Sequence, residues 1–333
     1  CGAISAGIYL AERENHTMPV RKDVAVILNP YSGRGRAGKA KDVIAAAMGR
    51  AGLTCHIQTT ERAGQGIELA EAAKRGGFQT VVAAGGDGTV SEVMNGLVNA
   101  TAPGEPVGTL ALFPLGSGND FADMVGYPRR PEAIACLIAQ GTIRPIDLGR
   151  VRYTDGGRTR LRYFDNNMGV GLEAAVTLTS YTIKRLQGTP LYVTAALRTL
   201  RNYTAPDVAV ECVLEDGTHW QHTGATLLVT IGNSPRTGGG FYLTPDARVD
   251  DGFLDVGVAV AQPLHRVLVL LPKALFGKHV TDPTITMLRI RHLYLRCAAG
   301  LPVQLDGEVV ARTVTELDVN VEPKRLALIA PPA

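Results

Sequence analysis

Val81-Val82-Ala83-Ala84-Gly85-Gly86-Asp87-Gly88-Thr89-Val90-Ser91-Glu92-Val93-Met94-Asn95-Gly96-Leu97 decides how the rest of the chain is read. It opens on a short apolar run, β-branched at Thr80, Val81 and Val82, which is the pattern of a buried strand. Glycines and an aspartate follow, and then Val90, Val93, Met94 and Leu97 recur at helical spacing. A strand, a glycine turn and a helix start point backbone N–H groups and a helix N-terminus at an anion. Glycine lets the backbone approach a phosphate with no Cβ in the way. Asp87 would repel phosphate oxygens unless a cation lies between them, as Mg²⁺ does in nucleotide sites. The alternative is a tight strand-to-helix turn in which Asp87 caps the helix.

Upstream, Asp23 to Leu28 reads as a first buried strand. It runs into a polar glycine loop, Asn29-Pro30-Tyr31-Ser32-Gly33-Arg34-Gly35-Arg36, and a helix over roughly Ala37 to Ala51 that Gly52 stops. Thr54 to Thr60 is a second strand and Gln65 to Lys74 a second helix. Downstream, Thr109 to Phe113 is a fourth strand ending in another glycine turn, Pro114-Leu115-Gly116-Ser117-Gly118-Asn119-Asp120-Phe121-Ala122. A helix over Pro131 to Gln140 closes this part. Strands alternating with helices predict a parallel α/β sheet, with ligands at the carboxyl ends of its strands. All three polar loops fall there. Each of them alone is equally compatible with a plain turn.

From Ile143 onward strand-like segments dominate, interrupted by helices over about Leu191 to Tyr203 and Leu264 to Gly277. Leu326 to Ile329 reads as a last, separate strand. The expected architecture is α/β: an N-terminal parallel-sheet nucleotide domain over 18–142, then a mainly antiparallel β domain over 143–330, with the active site in the cleft between them. Residues 1–17 read as a poorly structured leader, polar or small and weakly patterned.

A chain of 333 residues fits about two domains. Its net charge of +3 is dispersed, which argues against nucleic acid as a partner. Five widely spaced cysteines, with no C-x-x-C, suggest reduced thiols in a cytoplasm. No apolar run approaches the roughly 18 residues of a membrane span.

The glycine turns carry a resemblance. Gly85 to Thr89 followed by Glu92-Val93-Met94-Asn95-Gly96-Leu97 resembles the nucleotide motif of the diacylglycerol kinase catalytic family, which includes sphingosine, ceramide and bacterial lipid kinases. The likeness continues in order through Asn29-Pro30 with Ser32-Gly33, Leu115-Gly116-Ser117-Gly118-Asn119-Asp120-Phe121, Gly169-Val170-Gly171, Gly238-Gly239-Gly240, Pro245-Asp246-Ala247, Asp251-Gly252-Phe253 and Leu305-Asp306-Gly307-Glu308. Single motifs of this kind are weak; the ordered series is specific and spans the chain from about Val20.

The resemblance implies ATP and Mg²⁺ as cofactors and a lipid alcohol as acceptor: diacylglycerol giving phosphatidic acid first, a sphingoid base or another lipid alcohol as the alternative. It places nucleotide contacts at Asn29, Pro30, Tyr31, Ser32 and Gly33, at Thr60, at Gly86, Asp87, Gly88, Thr89, Val90, Ser91 and Glu92, and at Ser117. It makes Glu308 the proton acceptor, with Asp306 assisting or holding metal. Asp87 stays a competing base, and a plain Asp-Gly turn with a solvated Glu308 is the structural alternative. A structural Mg²⁺ site is implied at Asp251 with the carbonyls of Arg248 and Phe253, against a plain turn before a strand. Leu264 to His279 is apolar with basic ends, either a core helix or one that touches a membrane surface. The expected setting is cytoplasmic and peripheral at the inner membrane face, and a homodimer stays open. The competing classes are a relative of the NAD kinases, which share the Gly-Gly-Asp-Gly-Thr turn, and a non-catalytic nucleotide- or lipid-binding protein.

Overall fold

The computed structural model describes residues 23–102, 105–237 and 240–331; the leader expected over 1–17, and Gly238 and Gly239, lie outside the described residues. The first part alternates as predicted: β1 (Asp23–Leu28), α1 (Lys41–Arg50), β2 (Thr54–Thr59), α2 (Gln65–Arg75), β3 (Thr80–Gly85), α3 (Asp87–Asn99), β4 (Thr109–Pro114), α4 (Asp120–Met124) and α5 (Pro131–Gln140). The strands pair in parallel in the order β2-β1-β3-β4. Every residue of β3 is buried, which explains its unbroken apolar run. The order reverses between β1 and β3, and a crevice opens at such a switch point. The helix read from Ala37 starts later, because a 3₁₀ turn over Arg36–Lys39 precedes α1.

The second part comprises β5 (Ile143–Asp155), β6 (Arg158–Phe164), β7 (Asn167–Gly171), α6 (Leu172–Ser180), α7 (Gly188–Leu200), β8 (Asp207–Leu214), β9 (His219–Gly232), β10 (Leu254–Val260), α8 (Leu264–Ala274), β11 (Ile285–Leu305) and β12 (Glu308–Ile329). Its strands are antiparallel throughout. The fold class expected from sequence is therefore what the chain adopts. α6, which runs straight on from β7, was not expected from the sequence pattern.

One difference concerns the C-terminal strand. Glu316 to Val321 and Leu326 to Ile329 belong to the same strand, β12, which bends where Lys324 takes φ 52° and the register to β5 shifts. Buried Asp147 holds the bend, accepting from the Lys324 N–H and the Gly252 N–H at 2.6 Å each. Beyond the bend Ala327 and Leu328 pair in parallel with β4, and Leu326, Leu328 and Ile329 pack into the core around β1, β3 and α3. The last strand therefore completes the first domain's sheet, and the described strands form a single twelve-stranded sheet.

Candidate active site

The three polar loops meet at the carboxyl ends of β1, β3 and β4. After β1, the Asn29 N–H donates to the Ala84 carbonyl (2.9 Å), and its side-chain amide donates to Thr89 Oγ1 (3.1 Å) while Oδ1 accepts from the Tyr31 N–H (3.0 Å). Asn29 thus ties its loop to the first turn of α3. Thr60, buried beyond β2, donates its N–H to Leu28 (2.9 Å). The turns after β3 and β4 pack glycine on glycine: a Cβ on Gly116 would stand 2.5 Å from the Gly86 Cα. Asn119, at φ 60°, closes the later turn, accepting from the Gly116 N–H (2.8 Å) and donating to its carbonyl (3.0 Å).

Gly86, not Asp87, is the N-cap of α3. The Asp87 carboxylate instead caps α4, accepting from the N–H groups of Asp120 and Phe121 at 3.2 Å each. Burial, followed by repulsion from Asp120, pushes its pKa up to about 6. Asp120 also pairs with Arg236, from the segment after β9, at 3.0 Å, which bridges the two halves across the cleft.

The acidic motif is the hairpin turn joining β11 to β12. Leu305 pairs with Glu308, and Asp306 and Gly307 have φ 49° and 84°, the positive values of a type I′ turn. Asp306 is buried, and its Oδ1 accepts from the N–H groups of Asn166 and Asn167 at 3.0 Å each. Its carboxyl group also faces that of Asp165, itself buried. Both are pushed up, first by burial; the Asp306 charge is the next cause at Asp165. Two carboxyls so placed share a proton. Asp165 stands between the recognised motif pieces at no telling spacing, so sequence reasoning missed it. It also missed the support behind the turn, where Gln304 accepts from the Gly307 N–H (2.8 Å) and donates to Asn167 (2.7 Å) and Glu173 (3.0 Å).

Asp87, Ser117, Asn166, Asp306 and Gly307 line one polar cleft together with Arg34, a cation that no sequence argument singled out. Tyr192, Thr237 and Gly307 line this cleft and also a second, apolar cavity beneath α6, α7 and α8, so the two adjoin. Glu173 stands in the apolar cavity with Oε2 buried and unbonded, and burial pushes its pKa up. Glu308 lies on the other flank of the turn, in a hollow shared with Ser91, Glu92 and Arg162. Its side chain reaches solvent, yet desolvation in that hollow and then the Glu92 charge push its pKa up.

Two expected nucleotide contacts have their side chains engaged elsewhere. Val90 packs in the core. Glu92 accepts from the Gly64 and Gly66 N–H groups at 2.8 Å each and so caps α2. The expected metal turn is also already satisfied. Asp251 accepts from the Phe253 N–H (3.1 Å) and from Arg289 (2.6 Å), and Arg289 and Arg291 both stack on the Phe253 ring. A guanidinium supplies the positive charge there, and the residues at Arg248, Asp251 and Phe253 do not fit an ion as they stand. Among the described residues no group of three acidic, His or Cys side chains is arranged to hold a metal by itself.

Glycine loops at the ends of parallel strands, beside a cleft that adjoins an apolar cavity, fit the class of kinases that act on an apolar acceptor. Residues 23–151 match the diacylglycerol kinase catalytic domain, and residues 166–330 match the YegS C-terminal NAD kinase beta sandwich-like domain. A Pseudomonas aeruginosa protein named "Probable lipid kinase YegS-like" is 35% identical over 271 residues, 79% of this chain and 81% of its own length. A Bacillus subtilis diacylglycerol kinase is 30% identical over 289 residues, 86% of this chain and 90% of its own. The crystal structure of a diacylglycerol kinase from Bacillus anthracis shares the fold, with TM-score 0.67 and 22% identity over 93% of this chain and 97% of that one. The chain belongs to the diacylglycerol kinase family of lipid kinases, as its motifs implied.

Proposed function

We propose that the enzyme transfers the γ-phosphoryl group of MgATP to the hydroxyl of diacylglycerol, giving phosphatidic acid. The observation that carries this is the junction at Gly307, where a polar cleft built from phosphate-type loops adjoins an apolar cavity. The diacylglycerol kinases among the relatives support that acceptor over a sphingoid base. The nucleotide lies against Asn29 to Gly33, Thr60, Gly86 to Thr89, Ser91 and Ser117, with the N-terminus of α3 facing its phosphates. Val90 and Glu92 contribute only backbone.

Mg²⁺ usually arrives with the phosphates and takes one or two carboxylates from the protein. The carboxylates of Asp87 and Asp306 in the cleft fit that role, and the ion would neutralise charge on the transferring group. Glu308 takes the proton of the attacking lipid hydroxyl as the new O–P bond forms and ADP departs. Its raised pKa suits a base working near neutrality. Asp306 positions the turn through Asn166 and Asn167. A second reading makes Asp87 the base, favoured by its place in the cleft and its pKa of about 6. The chemistry uses one chain's residues, so a homodimer would be incidental to it. We place the enzyme in the cytoplasm, at the inner membrane face where its substrate resides; no helix among the described residues is long and apolar enough to cross a membrane.

With labelled ATP and diacylglycerol in mixed micelles, Glu308→Gln is expected to lower kcat by about 10²–10⁴ and leave ATP affinity unchanged. Near-normal turnover in that variant, with Asp87→Asn inactive, would transfer the role to Asp87.

A further inference from the structure

α8 is apolar on two faces, and only one of them packs against the other described residues. Val267, Leu270 and Ala274 turn inward and roof the apolar cavity beside Ala196 and Leu200 of α7. At 100° per residue, Leu264, Leu268, Val269 and Pro272 fall on the opposite arc, with Phe276 following just past the helix end. These side chains face solvent: Leu264 is 49% exposed, Leu268 40%, Val269 59% and Phe276 74%. Leu197 on α7 is also exposed. A sequence that is apolar nearly all round predicts a core helix; here the outer half of the pattern has no partner among the described residues.

Charge decides what covers it. Residues 174–206 and 256–281, which contain the two roof helices, hold seven Lys and Arg (Lys184, Arg185, Arg198, Arg201, Arg266, Lys273 and Lys278) and no Asp or Glu. The rest of the chain carries fewer basic than acidic residues, so the basic excess falls in these two stretches, with Lys184 lining the polar cleft and Arg198, Arg201, Arg266, Lys273 and Lys278 on or next to the two roof helices. Asp282 borders the patch and is taken up by Arg266 at 3.5 Å. A second copy of the chain fits poorly, because a two-fold interface would set these cations against themselves. An apolar ridge flanked by cations is what a bilayer bearing anionic headgroups accepts, the side chains entering the acyl boundary and the cations meeting phosphates.

We propose that the outer face of α8, from Leu264 to Phe276, docks on an anionic phospholipid bilayer and so sets the roof of the apolar cavity against the layer that holds the lipid substrate. This rests on the lipid-kinase reading, and vesicle binding can be measured without turnover. Purified enzyme is sedimented with vesicles of phosphatidylcholine alone and of phosphatidylcholine mixed with phosphatidylglycerol. The wild type is expected to bind the mixed vesicles and to be released by salt. Leu268→Asp with Val269→Asp, and separately Phe276→Ser, are expected to weaken that binding about tenfold with an unchanged melting temperature. Because none of these side chains lines the cavity, turnover of a dissolved short-chain diacylglycerol is expected to stay within about twofold while turnover of vesicle-borne diacylglycerol falls with binding. Binding equal to wild type in these variants would overturn the proposal, as would an equal loss on dissolved and vesicle-borne substrate. Loss of vesicle binding in an enzyme that phosphorylates no lipid at all would support the docking face and count against the kinase reading.

Discussion

Asp165 and Asp306 bring two carboxyl groups into one dry site, and their titration is linked to stability. In the unfolded chain each titrates near 3.9. In the folded chain burial raises both, and the Asp306 charge adds to the rise at Asp165. Above the unfolded value the folded chain holds a proton that the unfolded chain has released, so stability falls as pH rises through that window. Asp165→Asn replaces the shared proton with an amide that donates to Asp306. The variant is expected to melt higher than wild type at pH 8, by about 2–4 °C for each kcal/mol recovered, and the gap is expected to shrink towards pH 4. Melting curves at the two pH values check this; an equal or lower melting temperature at pH 8 would contradict it. The sequence exposed Asp306, because Leu-Asp-Gly-Glu is a recognisable piece, but not Asp165, whose partner lies 141 positions away in the chain. At Val90 and Glu92 the side chains turn away from the loop, into the core and onto the start of α2, since a motif marks a segment and does not say which way each side chain turns.

At the scale of elements, the paired glycine turns show why the first domain was legible. Buried parallel strands read as unbroken apolar runs, and backbone contact between turns demands glycine at both. Gly116→Ala would push a Cβ to 2.5 Å from the Gly86 backbone, which cannot shift without moving α3. The expected cost is about 1–3 kcal/mol with a raised KM for ATP, read by denaturant melts and initial rates. The Asp251 turn was legible as a turn, but its partner Arg289 comes from a different strand, β11, and no local pattern announces it. Chelation is therefore expected to leave the melting temperature of the nucleotide-free enzyme unchanged, while Arg289→Ala lowers stability by about 1 kcal/mol. A marked drop on chelation would instead restore the ion to that turn. α8 read ambiguously because composition alone cannot say which apolar face a neighbour covers.

At the scale of the molecule, the order of motifs predicts two domains and a cleft, and two family models match successive stretches, residues 23–151 and 166–330. What it did not convey is how the halves are joined. Leu326, Leu328 and Ile329 carry an ordinary strand pattern, and nothing local states that they return to β4. Long-range pairing of that kind is decided by where buried surface remains to be filled. The join fixes the acidic turn at one end of β12 and the first domain's core at the other, so cleft and cavity are held by one continuous strand. On the function proposed above, phosphate enters across that join from the α/β side and a lipid hydroxyl from the β side. The most direct measurement offers the purified enzyme labelled ATP together with diacylglycerol, a sphingoid base and NAD in one mixture. Label is expected in phosphatidic acid and not in NAD phosphate; label in NAD phosphate alone, or in no acceptor, would contradict the account.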